Sequence, residues 1–146
     1  MVGEIVESAG QAVLYGLVGF GVMAVAFVAL DLVTPGHLAK VVWSERNKGA
    51  AVVLGAEMLG VGWIIAEAIR ASESEEGLGY GLLSTGLYGL AGVVVMTLVF
   101  AVVGIITPGP MGAMVLEDED GRAHPAAWVQ GGMYIGTALM VGAALS

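Results

Sequence analysis

Glu57 is the residue whose position most demands chemistry. It lies nine positions into the stretch from Gly49 to Ile69, an apolar run interrupted only by Glu57 and Glu67. At the centre of such a run an ionised acid costs about 2.5 to 3.5 kcal/mol on insertion scales. The carboxyl group must therefore be protonated, paired or facing water. A carboxyl that gains and loses a proton inside a membrane is the chemistry of a proton or cation pathway. The plainer alternative is a protonated acid that hydrogen-bonds Gln130 or Tyr134 across a helix bundle. Asp31 ends another apolar run, four residues before Pro35, where water can reach it. It suits either the mouth of such a pathway or hydrogen bonding at a helix end or loop, with Lys48 or Asn47 as partners. Glu67 and Arg70, three apart, suit an interfacial ion pair of small energetic weight.

Other polar residues carry weaker signals. His37 and His124 fall in loops and read as solvated loop histidines. The run Glu117-Asp118-Glu119-Asp120, followed by Gly121, reads as a solvated hairpin tip, with binding of a basic partner as the sharper option. Ser44, Ser72, Ser74 and Ser84 have no neighbouring His and acid arrangement, so no nucleophile, and hence no enzyme, is expected. Carboxylates on different segments make no recognisable metal site, no phosphate-binding glycine loop is present, and no cofactor is expected.

The elements that position these residues follow from composition. The 146 residues are 58% hydrophobic and 12% charged, with mean hydropathy +0.89. Soluble domains carry about 25% charge, so an integral membrane protein is expected. The net charge of −8 argues against a phosphate-backbone binder, so no nucleic-acid partner is expected. The absence of cysteine removes disulfides and thiolate chemistry. Four runs reach the roughly 20 residues needed to cross hydrocarbon: Ala12 to Val33, Gly49 to Ile69, Leu82 to Ile106 and Pro125 to Leu145. Continuous apolar runs disfavour a β-barrel. Met1 to Ser8 has no basic residue and carries Glu4 and Glu7, so no cleavable signal peptide is expected. Lys40, Arg46 and Lys48 lie between the first two spans and Arg122 between the last two, against Arg70 alone on the other side. The positive-inside rule then puts both hairpins in the cytoplasm and both termini outside. Trp43 and Trp128 fall at boundaries as interfacial anchors, with Trp63 deeper.

The chain also repeats itself. Leu14 to Gly36 aligns without a gap on Leu87 to Gly109, 73 residues later, with 11 of 23 pairs identical. Chance would give roughly two. The identities include Tyr15/Tyr88, Gly16/Gly89, Gly19/Gly92 and the exits Thr34-Pro35-Gly36 and Thr107-Pro108-Gly109. Proline there stops each odd helix at the boundary. The triplet Leu38, Val41, Val42 falls on Met111, Met114, Val115, predicting a short interfacial helix after each exit. Three extra residues in the second loop then bring Gly55 and Gly60 onto Gly131 and Gly136. The expected fold is all-α: four transmembrane helices from two tandem two-helix repeats (about 11–70 and 84–146) in parallel topology, forming one membrane domain over residues 1–146. In this register Glu57 faces Met133, Asp31 faces Gly104 and Glu67 faces Ala143, so the hairpin itself does not require these acids.

Glycine spacing marks faces where helices can approach closely. Gly16, Gly19, Gly55, Gly60, Gly89, Gly92, Gly132 and Gly136 are the candidate packing positions, within one chain or between copies in a homo-oligomer.

The segment Leu30-Asp31-Leu32-Val33-Thr34-Pro35, followed by Asn47-Lys48-Gly49-Ala50-Ala51 and then Gly55 and Leu59-Gly60, resembles the YjfL-like family of uncharacterised bacterial inner-membrane proteins. The likeness covers nearly the whole chain. The second half keeps Ala126-Ala127 but places His124-Pro125 ahead of them and has no Asn equivalent. The resemblance implies a small four-helix protein of the bacterial plasma membrane, without an assigned activity, some of whose relatives are encoded near envelope-stress or polyamine-related genes. Two functions are expected from these features. One is an oligomeric proton or cation channel or transporter using Glu57, with Asp31, Gln130 and Tyr134 on its pathway. The other is a non-transporting scaffold, embedded in membrane lipid, that recruits a peripheral cytoplasmic protein through its hairpins.

Overall fold

The computed structural model describes residues 2–33, 37–72, 77–106, 111–119 and 121–146. Four helices are each long and apolar enough to cross a membrane: α1 (Val2–Val33), α2 (Lys48–Ala71), α3 (Leu78–Ile106) and α5 (Pro125–Leu145). The chain is thus an all-α, multi-pass membrane protein. A short helix α4 (Met111–Val115) precedes the last span, and the one non-helical pairing among the described residues is a ribbon, β1 (Asp118–Glu119) with β2 (Arg122–Ala123). The observed α5 has the predicted bounds. Helix α1 starts well before the predicted Ala12, because nothing in residues 2–11 breaks a helix and Glu4 in the first turn suits the helix dipole. At about 1.5 Å per residue its 32 residues reach about 48 Å.

Close packing is concentrated where glycine removes a side chain between helices. A Cβ on Gly131 would lie 3.1 Å from Ala56 Cβ, and one on Gly60 would lie 3.1 Å from Ala138 Cβ and 3.0 Å from Met96 Cε. Gly142 seats Trp63, and Gly92 seats Ile64, whose Cγ2 would be 2.6 Å from an added Cβ. These contacts make the seam between α2 and α5 and set α3 against α2. Helix α1 buries one narrow stripe, Gly19, Val22, Ala26 and Leu30, with Gly19 against Ile65 and Val22 against Gly89.

Four of the eight candidate packing glycines do not pack within the chain. A Cβ at Gly16, Gly55, Gly132 or Gly136 would meet nothing within 4 Å. The reason is rotation around each helix: the α1 stripe carries back to Tyr15, whose hydroxyl closes on Gly81, and the inward positions of α5 are Gln130, Gly131, Tyr134, Thr137 and Ala138. Spacing alone put the glycines on one helix face but could not say which face turned inward.

The exit residues Thr34, Pro35, Thr107 and Pro108 lie outside the described residues. Short helical segments do follow both exits. The first, Lys40–Ser44, is a widened π-type turn in which Glu45 N–H donates to Lys40 O. Leu38 and Val41 are buried, as is Val115 of α4, so these apolar residues pack into the bundle core.

The two hairpins meet at the start of α2. The first backbone N–H groups of a helix have no partner inside it. Here Asn47 caps with its side-chain oxygen on Ala50 N (2.7 Å), while the Asp118 carboxylate accepts from Lys48 N (2.7 Å) and Gly49 N (3.1 Å). Asn47 Nδ2 also donates to Leu116 O, and Lys48 Nζ to Gly121 O. Glu117 and Asp118 are exposed, as expected of a solvated acidic tip, but Asp118 also has a structural task. Asp118 is drawn to the positive end of α2 and spends its charge there, while Asp120 lies outside the described residues. His124 caps α5 by accepting from Ala126 N, with Pro125 in the first helical turn.

Gly49 is the tightest point of this junction, since a Cβ there would stand 2.0 Å from Val115 O, a backbone atom that cannot rotate away. Gly49→Ala is expected to destabilise the protein by about 1 to 3 kcal/mol, the usual scale of overpacking, and Asp118→Ala by about 0.5 to 2 kcal/mol through loss of the cap. Gly55→Ala, opening into free space, should be neutral or stabilising by up to about 1 kcal/mol. Thermal unfolding in detergent, followed by circular dichroism, checks the order; equal behaviour of Gly49→Ala and Gly55→Ala would refute it.

Candidate functional site

Helices α2 and α5 hold the site between them. Glu57 is the tenth residue of the 24-residue α2, about 4 Å along the axis from its midpoint. Its side chain is 3% exposed, that of Gln130 0% and that of Tyr134 1%. Gln130 and Tyr134 are four apart on α5, so they share the face turned to α2. Tyr134 interacts electrostatically with Glu57 and lies beside Gln130. Its ring stacks on Phe100 of α3, centroids 6.2 Å apart and planes 7° from parallel. Gly60, one turn beyond Glu57, lets α5 come close enough for the three polar groups to meet.

The site is incompletely satisfied. Glu57 Oε2 and both polar atoms of Gln130 are buried without a hydrogen-bond partner, as is Thr85 Oγ1 on α3. Each buried orphan of this kind costs about 1 to 3 kcal/mol. When Glu57 is protonated, all three groups of the cluster can both donate and accept a hydrogen bond. They can hold a proton or a water molecule and reverse direction without moving the backbone. Among the described residues there is no group of three or more His, Cys, Asp or Glu that could hold a metal ion.

Three of the four predicted pathway residues, Glu57, Gln130 and Tyr134, therefore come together. Asp31 does not join them through any hydrogen bond or ion pair. Its carboxylate accepts from Leu38 N at 2.5 Å and lies 3.6 Å from His37 Nδ1. The expected kind of interaction, at a helix end, is present, but the partners differ from Lys48 and Asn47. Those two residues are engaged with the second hairpin, and the chain turns back at His37, with φ of 59°, to bring Leu38 N under Asp31. His37 thus has an acidic neighbour, though it is a largely exposed loop residue. Glu67 and Arg70 form the predicted pair, at 2.5 Å. Trp43 and Trp128 are largely exposed on the bundle exterior and Trp63 is partly covered. Sequence reasoning missed Thr85. Its neighbour Ser84 returns its hydroxyl to Tyr80 O and Thr97 does the same to Val93 O, so a hydroxyl in a span gives no signal that it will be left over.

An orphaned buried acid retained for a purpose should lower stability, as polar active-site groups commonly do. Glu57→Met, which removes the desolvation cost at similar volume, is expected to raise the midpoint of thermal unfolding by several degrees, since about 1 kcal/mol is worth about 2 to 8 °C over this size range. A lowered midpoint would mean that Glu57 is a structural tie.

Comparison with known proteins bears on the whole chain. Residues 4–145 match the family described as Domain of Unknown Function (DUF350). A UPF0719 transmembrane protein of Mycolicibacterium paratuberculosis is 34% identical over 124 residues, covering 85% of this chain and 79% of the relative. A UPF0719 transmembrane protein of Mycobacterium bovis is 31% identical over 135 residues, covering 92% of this chain and 85% of the relative; one of Mycobacterium tuberculosis has the same identity and coverage. No solved structure matches. With four membrane-length helices and a match running almost from end to end, the chain belongs to the DUF350 family of uncharacterised transmembrane proteins.

Proposed function

We propose that this protein is a small oligomeric proton or cation channel or transporter in which Glu57 carries the ion, with Gln130 and Tyr134 as its hydrogen-bonding neighbours. The observation that carries this reading is Glu57 Oε2, buried near mid-helix without a hydrogen-bond partner and beside Gln130 and Tyr134. A group kept there at a cost, with no fixed partner, is suited to something that arrives and leaves. A proton fits better than a metal cation, because one carboxyl beside two neutral groups falls short of the six to eight oxygens of calcium or the octahedron of magnesium. Asp31, partly exposed and beside His37, suits the hairpin-side mouth. No enzymatic role is proposed.

The finer architecture belongs to the same proposal. We read the chain as one membrane domain built from two tandem hairpins in parallel topology, with both termini outside and the basic hairpin inside, in a bacterial plasma membrane, and we retain the YjfL-like resemblance as part of this reading. The gapless 11-of-23 identity and the pairing of α1 with α3 and of α2 with α5 support the repeat. The scaffold alternative has less support, because Asp118, the acid best placed to recruit a basic partner, is engaged with the opposite hairpin.

Proteoliposomes holding a pH-sensitive dye test the function. Under a pH gradient, with the membrane potential clamped, wild-type protein is expected to dissipate the gradient and Glu57→Gln to fall to the rate of empty liposomes. Equal flux from the variant, or no flux from the wild type under gradients of either sign, would overturn the proposal.

A further inference from the structure

The outward face of the α2–α5 seam carries a groove independent of the Glu57 cluster. Two concavities adjoin there. One, of about 710 Å³, is lined by Lys48, Arg122 and Trp128 among others. The next, of about 460 Å³, is lined by Gly55, Leu59 and Gly132 among others. They share Ala51, Val52 and Trp128 and so adjoin along the seam as one open groove. The glycines that failed to pack inside the bundle are what keep it open, since side chains at Gly55 and Gly132 would project into free space.

The groove has the polarity and length of a lipid molecule. Lys48 and Arg122 stand at one end, two of only five basic residues in a chain of net charge −8. No acidic side chain forms an ion pair with either among the described residues. Asp118 is turned onto the backbone of α2, and Lys48 Nζ donates to the carbonyl of Gly121, a neutral acceptor that leaves the ammonium charge uncancelled. From Lys48 to Leu59 the floor runs eleven residues, about 16 Å, close to the roughly 15 Å depth of one leaflet's hydrocarbon. Beyond the basic end the lining is small or apolar. Trp128, 65% exposed, stands where the two halves meet, the position indole favours at a membrane boundary. We propose that this groove is a binding site for one anionic phospholipid of the hairpin-side leaflet, its headgroup on Lys48 and Arg122 and an acyl chain along Ala51, Gly55 and Gly132.

Trp128 reads this site directly. In a Trp43→Phe/Trp63→Phe background Trp128 is the sole tryptophan, and its quenching by dibrominated phosphatidylglycerol and by dibrominated phosphatidylcholine gives their relative association. Phosphatidylglycerol is expected to be favoured about five-fold or more, since each basic group near the surface is worth about 1 kcal/mol. Arg122→Gln should bring the preference down by about five-fold, towards parity. Gly132→Leu, which fills the groove, should weaken quenching by both lipids. Native mass spectrometry of protein with all three tryptophans, released from mixed nanodiscs, should retain one phosphatidylglycerol in the wild type and lose it in Arg122→Gln. Equal quenching by the two lipids, or a preference unchanged by Arg122→Gln, would overturn the proposal. So would a Gly132→Leu variant that converts a dimer to a monomer with lipid preference intact, because a second copy of the chain would then occupy the groove.

Discussion

In hydrocarbon a helix gains nothing from burying apolar side chains that lipid already surrounds, so helices hold together where their backbones come close. In this protein that place is the seam between α2 and α5, made by Gly60, Gly131 and Gly142. The other features depend on it. The seam brings Gln130 and Tyr134 to Glu57, gives α3 a surface on which Met96 and Phe100 can rest, and leaves on its outer side the groove lined by Gly55 and Gly132. Helices α1 and α3 surround it more loosely and expose most of their apolar residues.

The hairpin end is held by a different force. The start of α2 has free N–H groups and a partial positive charge, and the chain answers it twice, locally with Asn47 and from 70 residues away with Asp118. Gly49 allows the backbone of Val115 to sit directly on the helix. The Asn-Lys-Gly-Ala-Ala segment is therefore the socket into which the second hairpin locks. Each hairpin meets the other through backbone groups, the Asp118 carboxylate on the first N–H groups of α2 and Lys48 Nζ on the Gly121 carbonyl.

The halves resemble one another in sequence but divide the work unequally. All three span acids are in the first half, and Met133, Gly104 and Ala143 stand in their register positions. One acid, Glu57, is buried with unpartnered atoms; Asp31 holds the turn at Leu38; Glu67 pairs with Arg70. The costly buried acid thus lies in the first half of the chain and its neutral neighbours, Gln130 and Tyr134, in the second.

The sequence by itself determined the four spans, the ends of α5, the short helical segments after the exits, the Glu67–Arg70 pair and the exceptional position of Glu57. Each of these depends on local composition or on spacings of three and four residues, which a helix converts directly into geometry. Only the tertiary structure decided which glycines pack, that Asp31 turns to Leu38, that Asp118 caps α2, and that Thr85 and Gln130 are left with unpartnered atoms. Those outcomes depend on how far each helix is rotated about its own axis and on contacts between residues about 70 positions apart. Hydropathy is nearly uniform around these helices, so no apolar stripe in the sequence reveals the rotation. It is set instead by the few places where one backbone can touch another.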